Sequence, residues 1–204
     1  MNSKYIIGID EVGRGPIAGP VAVGALVFEV GEYARYKRGR LRLPRGIDSK
    51  KLSSQERETW FDTICVLREK GVLNFAVSFV SEKVIDRRGL SYAITKAISL
   101  SLQKLALNPL ECRVVLDGLL KAPAEFKHQE TIIKGDEKEP VIGLASIAAK
   151  VVRDRKLTQL SKKYPLYGFE DHKGYGTSDH YARIKKFGLS PIHRRSFLRN
   201  FVEN

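Results

Sequence analysis

Cysteine is nearly absent: the chain of 204 residues holds two, Cys65 and Cys112, without metal-ligand spacing. They fall inside a predicted helix and at a predicted strand start, which suits reduced, buried thiols of a cytosolic protein. Missing too is any run approaching the roughly 20 apolar residues of a membrane span. The N-terminus has no basic segment followed by an apolar stretch, so no signal peptide is expected. Acids are scarce relative to bases, 23 Asp and Glu against 36 Lys and Arg, for a net charge of +13. Such an excess points to a polyanionic partner, most often nucleic acid. No repeat, low-complexity tract or linker interrupts the chain. Strands alternate with helices throughout, so one α/β domain over residues 1–204 is expected.

What is present begins with Tyr5-Ile6-Ile7-Gly8-Ile9-Asp10-Glu11-Val12, an apolar run fit for a buried strand that closes on two acids. Gly13-Arg14-Gly15-Pro16 and Gly19-Pro20 follow. Glycines let backbone approach a ligand closely, and an arginine between them offers a fork of donors for phosphate. Residues 4–9 and 20–28 read as two strands with both faces apolar, hence interior to the sheet. Residues 35–46 read as a loop or hairpin carrying Arg35, Lys37, Arg38, Arg40, Arg42 and Arg45, either a solvated charge run or a nucleic-acid contact. Ser53 and Glu56 form a capping box, predicting a helix to about Lys70. Leu73–Val80 reads as a strand, and Gly89–Leu107 as a helix stopped by Asn108-Pro109. Arg113–Asp117 repeats the opening theme of a buried strand ending in Asp, then Gly118. Thr131–Asp136 is read as a third such end. Pro140 opens a helix to about Tyr164, whose small Ala145, Ser146, Ala148 and Ala149 allow close packing on the sheet. Another helix is expected over Ser178–Phe187.

Three strand ends would deliver Asp10, Glu11, Asp117 and Asp136. Without a cation, four converging carboxylates repel one another and at least one titrates high. Hard oxygen ligands suit Mg²⁺ or Mn²⁺. Two such ions about 4 Å apart activate a water and stabilise a leaving oxygen in phosphodiester hydrolysis. Acids for metal beside donors for phosphate, in a basic protein, point to a nuclease or polymerase-like site.

The motifs Gly8-Ile9-Asp10-Glu11-Val12-Gly13-Arg14-Gly15-Pro16, Ala18-Gly19-Pro20, Asp48-Ser49-Lys50, Leu116-Asp117-Gly118, Lys134-Gly135-Asp136 and Ala145-Ser146-Ile147-Ala148-Ala149-Lys150 resemble ribonuclease HII. Arg153-Asp154, His172-Lys173-Gly174-Tyr175-Gly176-Thr177 and Pro191-Ile192-His193-Arg194 extend that resemblance in order along nearly the whole chain. It implies a ribonuclease H-like fold: a mixed five-stranded sheet flanked by helices, with a small helical C-terminal portion over about 165–204. It implies an endonuclease cutting RNA in RNA–DNA hybrids and at single ribonucleotides in duplex DNA, leaving 3′-hydroxyl and 5′-phosphate ends. By resemblance, Asp10, Glu11, Asp117 and Asp136 are the metal-binding acids. Asp154, among Arg153, Arg155 and Lys156, is the rival for fourth place, although an ion pair is the more natural role there. Gly13-Arg14-Gly15 resembles the loop that reads the 2′-hydroxyl through backbone contact. Tyr175 resembles the tyrosine that packs at the RNA–DNA junction. Ser49, Lys50, Ser146 and Lys173 are assigned as phosphate contacts, with turn formation and helix packing as the alternatives for Ser49 and Ser146.

Other readings are weaker. A dinucleotide fingerprint fails at Gly13-x-Gly15-x-x-x-Gly19, since the spacing is off and Pro16 lacks a backbone donor. His128, His172, His180 and His193 have no zinc-binding pattern, and His193 is read as a brace for the C-terminal segment. A non-catalytic basic nucleic-acid-binding protein explains the charge but not the acid-tipped strands. Ribonuclease HIII, the sister family, usually adds an N-terminal domain and has glutamate as the fourth acid. Here the first strand starts near Tyr5 and the fourth acid is Asp136. A monomer is the default expectation.

Overall fold

The computed structural model describes residues 3–43 and 52–202. Five strands, β1 (Tyr5–Val12), β2 (Val21–Glu29), β3 (Leu73–Val80), β4 (Cys112–Asp117) and β5 (His128–Ile132), form one sheet in the order β3-β2-β1-β4-β5. β1, β2 and β3 pair antiparallel, whereas β4 runs parallel to β1 and β5 parallel to β4. The short Gly13–Pro20 connection permits the first antiparallel pair, while the parallel β1–β4 pair is reached only after β2, β3 and the helices between them.

The helices are α1 (Val30–Lys37), α2 (Ser54–Glu69), α3 (Glu82–Arg88), α4 (Leu90–Leu105), α5 (Gly135–Lys138), α6 (Pro140–Lys163), α7 (Phe169–His172), α8 (Ser178–Phe187) and α9 (Arg199–Val202). Strand alternation divides the core in two. Ile7, Ile9, Val114 and Leu116 face α4 through Ala93, Ala97, Ile98 and Leu102. Ile6, Leu26, Phe28 and Val115 face the other way, against α1, α2 and α6. β2, β1 and β4 are the interior strands, β1 and β2 as their two apolar faces require.

α6 lies on the sheet at backbone distance. A Cβ on Gly8 would stand 2.4 Å from the Val141 carbonyl carbon, and one on Gly24 would stand 2.4 Å from the Ala145 carbonyl oxygen. Only glycine in the strands and small residues on the helix allow that approach. The predicted capping box is present, with Glu56 N–H donating to Ser53 Oγ and Ser53 N–H to Glu56 Oε2. α7, α8 and α9 gather at the end of α6, forming two small clusters around Ala18, Leu157 and Phe169 and around Ile17, Ile184 and Leu198. Among the described residues no helix is long and apolar enough to cross a membrane.

Three expectations need correction, and one helix, α3, was not foreseen. Residues 35–37 belong to α1 rather than a loop, because Tyr33 and Tyr36 supply a buried face packed against Phe28; residues 44–51, with Ser49 and Lys50, lie outside the described residues. α3 precedes the predicted long helix as a separate element, since Gly89 at φ +84 breaks the chain between them. Cys65 is half-buried rather than buried. Asp136 does not end a strand: β5 stops at Ile132, Lys134 takes a left-handed conformation, and Asp136 rides on the single turn of α5.

Candidate active site

The sheet brings the acids together through register. Ile9 pairs with Leu116, so Asp10 and Asp117 stand side by side one step further along neighbouring parallel strands. Asp10 continues the Ile6–Gly8 face of β1 and Asp117 the Val115 face of β4, both toward α6. Asp117 Oδ1 accepts the Gly135 N–H at 2.6 Å, which draws α5 against the end of β4. Asp136 is thereby buried, at 3% exposure, close enough to Asp10 to raise its proton affinity.

Asp10 is itself 5% exposed. Burial, then repulsion from Glu11, Asp117 and Asp136, pushes its carboxyl up to about 8, opposed by the hydroxyl of Ser146 on α6, which donates to it. Glu11 is also raised, chiefly by burial, with Arg14 opposing. Arg14 Nη1 donates to Glu11 Oε1 at 2.8 Å, whereas Glu11 Oε2 is buried with no partner among the described residues. An orphaned carboxylate oxygen and a strongly repelled neighbour are what an all-oxygen set looks like when a cation would relieve it. The donor chemistry therefore fits a hard divalent ion. Among the described residues no three acids are already drawn to the spacing that encloses one.

An open pocket spreads over these acids. Asp10, Glu11, Asp117, Ser146 and Lys150 form one part of its lining, and Gly13, Arg14, Gly15 and Tyr175 another. Tyr175 is 41% exposed, with Lys150 Nζ 5.7 Å from its ring centroid. Lys150 also pairs with Asp154 at 2.8 Å, the ion-pair role read for Asp154 from the sequence. Gly15 faces Tyr175 openly: a Cβ there would be 3.9 Å from the ring. Gly13, at φ +92, has no such room, because a Cβ would sit 2.2 Å from Arg153 Nε.

Of the residues assigned from sequence, Asp10, Glu11, Gly13, Arg14, Gly15, Asp117, Ser146 and Tyr175 share this pocket. Asp136 lies buried behind it. Lys173 is turned elsewhere, its ammonium donating to Thr158 Oγ1 at 3.0 Å and to the Glu170 carbonyl. Lys150 was quoted only as part of a motif, and the signal that could have singled it out is its place one turn after Ser146 on α6.

Two more groups make contacts that the sequence does not reveal. Arg153 and Arg194 are fully buried. Arg153 donates to the carbonyls of Pro20 and Lys173, and Arg194 to those of Gly13, Arg14 and Gly19. Burial lowers Arg194 to about 9, which still leaves it cationic at neutral pH. Three histidines meet beneath Tyr175. The Ser190 N–H donates to His193 Nδ1, so His193 Nε2–H donates to His180 Nε2 and His180 Nδ1–H to the Tyr175 carbonyl. Every ring proton is used with both rings neutral, in keeping with the burial that lowers His180 and His193 to about 4. His193 is thus a brace, as expected, and one that reaches Tyr175.

The family model described as ribonuclease HII matches residues 7–200. Ribonuclease HII of Ruminiclostridium cellulolyticum is 45% identical over 206 residues, covering 98% of this chain and 72% of its own. Among solved structures, ribonuclease H2 from Pyrococcus horikoshii OT3 superposes with a TM-score of 0.72 at 26% identity, over 98% of this chain and all of that one (100%). Bst-RNase HIII in complex with Mn²⁺ shares the fold at TM-score 0.64 and 21% identity, over 92% of this chain and 64% of its own.

Proposed function

The chain belongs to the ribonuclease HII family of endoribonucleases, and from that premise we propose a divalent-metal-dependent enzyme for ribonucleotides in duplexes. Its substrates are RNA in RNA–DNA hybrids and single ribonucleotides embedded in duplex DNA. It cuts on the 5′ side of the ribonucleotide, leaving 3′-hydroxyl and 5′-phosphate ends, with residues 1–204 acting as one catalytic domain. The observation that carries the reading is one pocket with mutually repelling acids on one side and a glycine-lined wall facing a tyrosine on the other.

Asp10, Glu11, Asp117 and Asp136 would hold the ions. Mg²⁺ or Mn²⁺, as a pair, would supply an activated water and charge stabilisation at the leaving 3′ oxygen; the Mn²⁺ complex of Bst-RNase HIII supports that choice. Ser146 keeps Asp10 oriented through its hydroxyl. Lys150, beside Tyr175 in the lining, offers a cation to the phosphate. Gly13, Arg14 and Gly15 bring backbone to the ribose, where the 2′-hydroxyl separates RNA from DNA. Tyr175 presents its exposed ring to the sugar on the following nucleotide.

The test is a labelled DNA duplex with one ribonucleotide, incubated with Mg²⁺, Mn²⁺ or EDTA beside an all-DNA control. A metal-dependent cut on the 5′ side of the ribonucleotide, and none in the control, is expected. Cutting confined to runs of ribonucleotides would replace this specificity with a hybrid-only one. Salt-sensitive binding without a cut under any metal would overturn the enzyme reading.

A further inference from the structure

We infer that Arg194, distant in sequence from every acid of the pocket, is a positioning residue for sugar recognition: its guanidinium sets two peptide planes so that the N–H groups of Arg14 and Gly15 face the pocket together. The inference rests on the proposed reading of that pocket as a ribonucleotide site.

The geometry is specific. Arg194 Nη2 donates to the Gly13 carbonyl at 2.7 Å, Nη1 to the Arg14 carbonyl at 3.0 Å and Nε to the Gly19 carbonyl at 2.9 Å. In a trans peptide the N–H points opposite to the C=O of the same plane, and the described chain has no cis bond. Holding the Gly13 carbonyl therefore turns the Arg14 N–H away from the guanidinium, and holding the Arg14 carbonyl does the same for Gly15 N–H. Gly13, Arg14 and Gly15 line the pocket and Arg194 does not, so away from Arg194 is toward the pocket. Neither N–H donates to any partner among the described residues. Pro16 supplies no third donor. Two adjacent free donors suit one 2′-hydroxyl oxygen, whose two lone pairs can accept both.

Arg194 is itself anchored. Its N–H donates to the Ile17 carbonyl at 2.8 Å, and its guanidinium lies 5.2 Å from the Phe197 ring centroid. The next two N–H groups, of Arg195 and Ser196, donate to the Asp86 carboxylate on α3. From the other side Arg153 fills the space under Gly13 and fixes that residue as glycine. A lysine at 194 would keep the charge but lose the planar fork that reaches three carbonyls at once.

The experiment compares binding, in EDTA to prevent cleavage, of two duplexes identical except for one ribonucleotide. Two neutral hydrogen bonds predict a wild-type preference for the ribonucleotide duplex on the order of tenfold. Arg194→Lys is expected to bring that ratio close to one while leaving all-DNA affinity unchanged. Equal weakening on both duplexes would make Arg194 a structural brace only and overturn the inference. So would an unchanged ratio. A wild-type ratio of one would overturn the ribonucleotide reading of the pocket itself, and the inference with it. Should Arg194→Lys fail to fold, Phe197→Ala, at a half-exposed ring, decides: a reduced ratio supports the positioning role and an unchanged one overturns it.

Discussion

Asp10 carries a heavy electrostatic burden, buried among three other acids. Its folded-state value of about 8 stands far above the ordinary 3.8. A raised carboxyl leaves stability intact below about pH 4 and removes it as pH climbs toward 8, because the unfolded chain ionises there while the folded one keeps its proton. Asp10→Asn abolishes that penalty. In metal-free buffer the variant should melt higher than wild type at pH 8, with the gap closing toward pH 4. Relief of even ~1 kcal/mol corresponds to about 2–4 °C in a chain of this size. A gap independent of pH, read by thermal melts across that range, would contradict the assignment. Asp10, Glu11 and Tyr175 were legible in sequence because their neighbours, Gly-Arg-Gly and Gly-Tyr-Gly, announce close backbone approach, and Asp117 because it ends a short apolar run before Gly118. Arg194 was not, since nothing local reveals that a side chain near the C-terminus reaches carbonyls at Gly13 and Arg14.

At the scale of elements, α6 is the part that fixes the site, because it lies on β1 and β2 at backbone contact and carries Ser146 and Lys150. Gly24→Ala would force a Cβ to 2.4 Å from the Ala145 carbonyl oxygen and 3.1 Å from the Ala149 Cβ. Overpacking against a long helix that cannot shift locally costs about 1–3 kcal/mol. The urea midpoint should fall accordingly, and the neighbouring Ser146–Asp10 contact should loosen with it. An unchanged midpoint would mean that α6 yields more easily than the packing implies. Most elements were readable from periodicity and caps, with Ser53–Glu56 and Asn108-Pro109 marking their ends. α1 was misread because its charges dominate the pattern, while two tyrosines packed against Phe28, Tyr36 stacked and Tyr33 tilted, decide the structure. Asp136 looked strand-borne because Thr131-Ile132-Ile133 is apolar; the left-handed Lys134 ends that strand, and the Asp117–Gly135 hydrogen bond determines where the acid goes.

At the scale of the whole molecule, a net charge of +13 accompanies a small group of repelling acids. On the proposed reading the two have separable jobs: the basic residues hold a polyanion, and the acids hold the ions that cut it. The alternation of strands and helices made the α/β class legible, and the ordered motifs carried the mixed sheet. The parallel placement of β4 beside β1, which joins Asp10 to Asp117, is a pairing across about a hundred residues that no local pattern encodes. The most direct measurement is cleavage and binding of the single-ribonucleotide duplex by Asp10→Asn with Mn²⁺ present. Binding should persist and weaken with salt as counterions compete for the phosphates, while cleavage falls by on the order of a thousandfold or more with the loss of an ion-holding carboxylate. Cleavage near the wild-type rate by a folded Asp10→Asn protein would contradict the account.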